Sequence, residues 1–271
     1  MDDHRPQFML VGSGAQPRRI AYLREAGDGR GKPGVLWLSG LKSEMTSTKA
    51  SALAHWARAQ GLACLRFDYS GHGQSEGRFA DGTLGDWLAE ARSAFGLTRG
   101  QQVVVGSSMG GGIALLLLRE LMAEAPQEAK RVKALVLIAP AWDLAELMWS
   151  NLSQSARREI MEKGIYLRPS RYGDGPYPIT RTFIEEARQH RIGNAPFDPG
   201  RPVHILHGLL DPDVPWEHTL DLVAHLSGDW TRVAAVPDGE HRLSRPQDLA
   251  LLLDTIARLA VGVADRRVTP R

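Results

Sequence analysis

Short apolar runs rich in β-branched residues alternate with longer amphipathic stretches along almost the whole chain. This alternation leaves few folds open, because runs apolar on both faces must be covered twice, and the amphipathic stretches between them are long enough to cross over and cover them. A parallel sheet flanked by helices, an α/β architecture, is therefore expected. The extended runs are 19–24, 35–39, 64–68, 102–106, 134–139, 203–207 and 231–236, several of them ending at Gly, Pro or Asp. The crossover helices are expected at 48–60, 84–97, 109–124, 216–226 and 247–259. Between residues 139 and 203 lie about 60 residues, far more than the two to six of an ordinary connection. That interval reads as a helical insertion, about 141–200, with helices at 141–163 and 179–190 around the turn-rich RPSRYGDGPYP. An insertion over the carboxyl edge of such a sheet is the usual form of a lid.

Length and composition suit one such unit spanning 1–271. With 43% hydrophobic and 24% charged residues, the chain can bury a core and is not disordered. A net charge of +2, with basic residues only in pairs, gives no footprint for nucleic acid. One cysteine, Cys64, excludes a disulfide framework and a multi-cysteine zinc site, and fits a reducing compartment. The N-terminal MDDHRPQFML has neither the apolar core of a signal peptide nor the acid-poor character of a transit peptide, so a cytoplasmic protein is expected. The longest apolar run, 110–118, is too short for a membrane span. No feature specifies an oligomeric state.

The strongest chemical signal is VVVGSSMGGG. Gly106-Ser107-Ser108-Met109-Gly110 matches G-x-S-x-G, a pattern common enough to mean little alone, but here it directly follows an expected strand and precedes an expected helix. In such an elbow the nucleophile's backbone is strained and its neighbours must be small, which Gly106 and Gly110 satisfy around Ser108. The bland alternative is a glycine-rich turn that merely lets helix and strand pack. A serine hydroxyl needs a base, and the base an orienting acid. In this architecture the order is Ser, acid, His. HGLLDPDVPW places Asp211 and Asp213 past one later strand, and DGEHR places His241 past the next, all on the edge that carries Ser108. The acid is Asp211 or Asp213, with Asp143 a distant third. The other histidines read as structural: His72 and His207 in loops or at strand ends, His55, His190, His218 and His225 on helix faces. Metal and nucleotide motifs are lacking, GHGQSEG missing G-x-G-x-x-G by one position, so no cofactor is expected.

In order, LSGLKSEM, FDYSGHGQSEG, GSSMGG, HGLLDPDVPW and GEHR resemble the landmarks of the α/β-hydrolases over roughly residues 19–259. The resemblance implies a mostly parallel sheet with crossover helices on both faces and a helical lid. It places the H-G-x-x-D-x-x-V-P pattern on His207, Gly208, Asp211, Val214 and Pro215, which selects Asp211 as the acid. It also assigns the oxyanion donors to the backbone N–H of Met109 and, from the SGL segment, of Leu41. Its most similar branch acts on acyl thioesters and acyl glucuronides, implying a serine hydrolase of the carboxylesterase or thioesterase type, acting on a small-molecule or acylated-protein substrate. A serine peptidase, a carbon–carbon hydrolase and a non-catalytic binding member are the alternatives. Within the insertion, Leu147, Met148, Trp149, Leu152, Ile165 and Tyr166 are candidates for an acyl pocket, and Arg168, Arg171 and Arg181 for a cationic entrance.

Overall fold

The computed structural model describes residues 5–12, 17–170, 175–193 and 195–261. Its centre is an eight-stranded sheet. In chain order the strands are β1 (Gln7–Val11), β2 (Arg18–Glu25), β3 (Gly34–Leu38), β4 (Cys64–Phe67), β5 (Gln102–Ser107), β6 (Val132–Ile138), β9 (Val203–Gly208) and β10 (Thr231–Val236), with β7 (Ile165–Arg168) and β8 (Tyr177–Thr180) forming a separate antiparallel hairpin. The order across the sheet is β1-β2-β4-β3-β5-β6-β9-β10. β1 and β2 run antiparallel at one edge, and from β4 to β10 the pairing is parallel.

Alternate residues of each central strand feed two different cores. In β3, Val35 and Trp37 join Val103, Val105, Val136 and Ile138 under α1 (Thr48–Ala59) and α9 (Pro246–Val261). Leu36 and Leu38 face the other way, with Val104, Leu135 and Leu137, against α2 (Leu84–Gly96) and α3 (Met109–Glu124). Strand β3 is buried at every position, as an interior strand sandwiched between helix layers must be. The remaining helices are α4 (Pro126–Ala129), α5 (Leu144–Ser150), α6 (Gln154–Lys163), α7 (Arg181–Ala187) and α8 (Trp216–His225). No helix among the described residues is long and apolar enough to cross a membrane.

Two expectations about the insertion need correction. The stretch 141–163 is not one helix. Residues 141–143 are held out of it: Ala141 N–H donates to the Ser108 carbonyl at 3.0 Å, and Asp143 sits at φ 44°. The helix then stops at Ser150, and a new one starts where the Ser153 hydroxyl caps the N–H of Ala156 at 3.2 Å. Nor does a helix begin at 179, because Tyr177–Thr180 pairs with Ile165–Arg168 and Thr180 then caps Phe183 N–H at 3.1 Å. β1, absent from the expected strands, is an edge strand with only Met9 and Val11 buried.

Candidate active site

Strand β5 delivers Ser108 to the carboxyl edge of the sheet at φ 55° and ψ −118°, a conformation that costs an L-residue of order 1–3 kcal/mol. Neighbouring backbone holds it there. Ser108 N–H donates to the Ile138 carbonyl at 2.8 Å, and the Ser108 carbonyl accepts from Gly111 at 2.8 Å as well as from Ala141. The flanking glycines are required by space: a Cβ on Gly106 would lie 2.2 Å from the Gly110 oxygen, and one on Gly110 would lie 2.1 Å from the Leu38 oxygen. Gly40 likewise runs close to the elbow, its would-be Cβ 3.3 Å from Ser108 Cβ.

Two further loops meet this elbow. After β9, Asp211 Oδ1 accepts the N–H groups of Asp213 at 2.8 Å and Val214 at 2.9 Å. Its Oδ2 lies 2.7 Å from His241 Nδ1, and its side chain is completely buried. After β10, His241 reaches back so that Nε2 is 3.0 Å from Ser108 Oγ, with 15% of its side chain exposed. The acid and histidine loops are tied to each other, Leu209 and Leu210 N–H donating to Val236 and Gly239 carbonyls at 2.9 Å each. Arg245 clamps the far side of the histidine loop, bridging Asp238 and Asp248.

Of the three acidic candidates, Asp211 alone touches His241 in a hydrogen bond. Asp213 turns its carboxylate to Arg168, 3.8 Å away. Asp143 is occupied in the insertion, accepting from Ile192 N–H at 3.0 Å and Arg191 Nε at 3.2 Å. Among the described residues Asp211, Asp213 and His241 bring donor atoms within 4.8 Å of one another. Their bonds to each other, to backbone N–H groups and to Arg168 make this a hydrogen-bond relay and not an open ligand set. The buried His72, whose Nδ1 meets the Ser70 carbonyl at 3.0 Å, and His207, bound to Thr219 at 2.8 Å, are structural. Burial holds both imidazoles below the usual histidine range, His72 at about 4.

Ser108, Met109, Leu41 and His241 open on a cavity of about 380 Å³. Met109 is the first residue of α3, so its N–H has no carbonyl within the helix to meet. The insertion lines one side of the cavity with Leu144, Leu147 and Met148. Of the six pocket residues expected from sequence, only Leu147 and Met148 arrive there. Leu152 is buried in the core, Trp149 and Tyr166 pack partly buried against it, and Ile165 is exposed. The expected cationic entrance also changes membership. Arg168 lines the cavity, Arg181 instead pairs with Glu185 at 2.6 Å, and Arg171 lies outside the described residues. Lys42, Lys49 and Arg242, none of them foreseen, complete a wall of four cations, and among the described lining residues Asp213 is the one carboxylate. Burial, reinforced by Arg242, lowers the Lys49 ammonium to about 8. Lys49 left one readable signal: a lysine in the first turn of a helix opposes the helix dipole.

Residues 32–173 match the family described as serine aminopeptidase, S33. The human mitochondrial palmitoyl-protein thioesterase ABHD10 is 33% identical over 239 residues, 88% of this chain and 75% of its own length. The chain belongs to the α/β-hydrolases. Among solved structures of this family, a protein of Agrobacterium vitis S4 assigned to the hydrolases superposes with a TM-score of 0.90 at 41% identity, covering 94% of this chain and 98% of the other. Mouse α/β-hydrolase domain-containing protein 10 superposes with a TM-score of 0.82 at 32% identity, covering 96% and 100%. This kinship supports a hydrolase. It also overturns the expectation of a cytoplasmic protein, since the curated relatives are mitochondrial. A lone buried thiol such as Cys64 carries no address.

Proposed function

We propose that this α/β-hydrolase cleaves carboxylic esters and thioesters through an acyl-enzyme on Ser108. The observation that carries the reading is the unbroken relay Ser108–His241–Asp211, at 3.0 and 2.7 Å, placed at the mouth of the cavity. Ser108 Oγ attacks the acyl carbonyl as His241 Nε2 takes its proton. Asp211 keeps the other ring nitrogen protonated and stabilises the imidazolium. The tetrahedral oxyanion is met by the N–H groups of Met109 and Leu41. His241 then protonates the departing alkoxide or thiolate, and water, activated by the same imidazole, releases the acid. No cofactor enters these steps.

The two sides of the cavity suit two halves of a substrate. Leu144, Leu147 and Met148 suit an acyl chain, and Lys42, Arg168 and Arg242 suit an anionic or strongly polar leaving group on a small molecule or an acylated protein. The insertion, in this reading, is the lid of a single hydrolase domain. The name of the matching family suggests a peptidase reading as well, but a wall of cations repels the ammonium of a peptide N-terminus.

A fluorophosphonate probe tests the nucleophile. Native protein should label and Ser108→Ala should not, while Ser107→Ala keeps both labelling and turnover. Well-folded native protein that resists the probe would turn the reading toward a binding module. On a panel of p-nitrophenyl esters, acyl thioesters and peptide amides, octanoyl substrates should exceed acetyl ones. A tenfold preference for acetyl, about 1.4 kcal/mol in the transition state, sinks the acyl pocket. Efficient amide cleavage promotes the peptidase.

A further inference from the structure

The segment SGLKSEMTSTKA is absorbed by the hydrolytic reading only as far as Leu41. Eight residues on, Lys49 occupies the first turn of α1, where the helix dipole disfavours a cation and where the first turn holds no acidic residue. A sequence that breaks a local rule at a cavity wall usually gains something there. The Nζ of Lys49 donates to the backbone carbonyl of Arg242, the residue directly after His241. It also lines the same cavity as Ser108 and His241. Among the described residues no carboxylate lies within ion-pair distance of it, so this ammonium is spent on a peptide carbonyl.

We propose that Lys49 is a positioning residue for hydrolysis: it grips the Arg242 carbonyl and thereby holds the imidazole of His241 in line between Ser108 and Asp211. This inference rests on the acyl-enzyme reading and adds a residue to it. Within the loop the Ser244 hydroxyl donates to the same Arg242 carbonyl at 2.9 Å, and Leu243 N–H to the Glu240 carbonyl at 3.2 Å. The ties from outside the loop lie further off, Leu210 holding Gly239 and Arg245 holding Asp238 to Asp248, so that movement of the backbone just after His241 is resisted from the cavity side by Lys49. A hydrogen bond from a charged donor is roughly twice as strong as one from a neutral donor. The grip therefore depends on the ammonium being protonated, and burial brings its loss of charge down to about pH 8. The groups that face it set that balance. Arg242, on the histidine loop beside His241, disfavours the charge, while Asp248 on α9 and Asp211 on the acid loop favour it; Lys42, from the loop before α1, lines the same cavity.

The test follows kcat and KM for a neutral p-nitrophenyl ester between pH 6.5 and 9.5 in native protein, Lys49→Met, Lys49→Arg and Ser108→Ala. Native kcat should fall on an alkaline limb near pH 8. Lys49→Met should lower kcat about tenfold with KM within twofold, and should lose the limb. Lys49→Arg, charged throughout this range, should keep at least a third of native kcat and stay level to pH 9.5. Native kcat and pH profile in Lys49→Met would overturn the proposal. So would a rise in KM with kcat intact, which would make Lys49 a substrate-binding residue. If Lys49→Met does not fold, the native and Lys49→Arg profiles decide: the same limb in both overturns it. Ser108→Ala separates the two levels. An inactive Ser108→Ala beside an unaffected Lys49→Met removes the positioning role alone, whereas an active Ser108→Ala removes the acyl-enzyme reading beneath it.

Discussion

The elbow around Ser108 and the insertion that roofs it are built by opposite means. At the elbow, shape follows from backbone crowding: Gly106, Gly110 and Leu38 approach so closely that a single added carbon would collide. In the insertion, short elements are cut by capping residues such as Ser153 and Thr180 and are placed by contacts with distant parts of the chain. Glu186 of α7, for example, accepts the N–H groups of Leu84 and Gly85 at the start of α2, at 2.9 and 3.1 Å. A site made by local crowding tolerates almost no change, whereas one assembled from dispersed contacts can be retuned residue by residue. The first suits the reacting groups and the second suits the choice of substrate.

The sharpest break in this contrast is expected inside the relay. Asp211→Asn should lower kcat by about 10³–10⁴-fold, because the amide favours the wrong imidazole tautomer, while Asp213→Asn should stay within about fivefold. Steady-state kinetics on one ester compares them, and equal small losses would move the acid elsewhere. Next, Gly110→Val should cost more than about 4 kcal/mol or prevent folding, since its first carbon would begin 2.1 Å from the Leu38 oxygen. Arg181→Ala in the insertion should change stability by less than about 0.5 kcal/mol, its pair with Glu185 being half exposed. Urea melts of both variants measure the difference, and a stable, active Gly110→Val protein would end it.

At the seam between the two regions, His72 packs edge-on against Phe79 and Trp87, which in turn touch Tyr177 and Phe183 of the insertion. Burial lowers its imidazole from 6.5 to about 4, against the opposing hydrogen bond to Ser70 and helped by Lys42. The unfolded chain therefore takes up a proton between those values that the folded chain refuses. Stability from this group is complete above about pH 6.5 and drains away toward pH 4, by about 3 kcal/mol at most. Melts at pH 7 and 4.5 should show that loss in native protein and a smaller one in His72→Gln. A smaller effect than that of His72 is expected within the cavity wall of the insertion. Arg168→Gln should raise KM for acyl thioesters with anionic leaving groups by up to tenfold, about 1.4 kcal/mol, leaving kcat for neutral esters alone. An unchanged KM would remove Arg168 from substrate recognition.

Strands 35–39, 64–68 and 102–106 and the helix at 109–124 were readable because each carries its burial pattern within a few residues. The same is true of Ser108, Asp211 and His241. Each follows an apolar run that had to be a strand, and parallel strands deliver their ends to one edge. The hairpin of β7 and β8 was not readable, since its eight residues include Pro178 and bury only Ile179. Of the cationic wall only Arg168 was readable, since its other members come from the loop after β3, the first turn of α1 and the loop after β10.

What the sequence determined by itself was the sheet, its direction, and the serine, the histidine and the pair of acids brought to its edge, because hydrophobic periodicity and glycine spacing act over short distances along the chain. Which acid faces the histidine, which arginine enters the cavity and where Lys49 anchors were decided in three dimensions. Asp211 and Asp213 stand two positions apart with the same chemistry. Only the fold of their loop, with Val214 and Asp213 N–H groups closing on Asp211 and Arg168 drawing Asp213 away, gives one the histidine and the other the cavity wall.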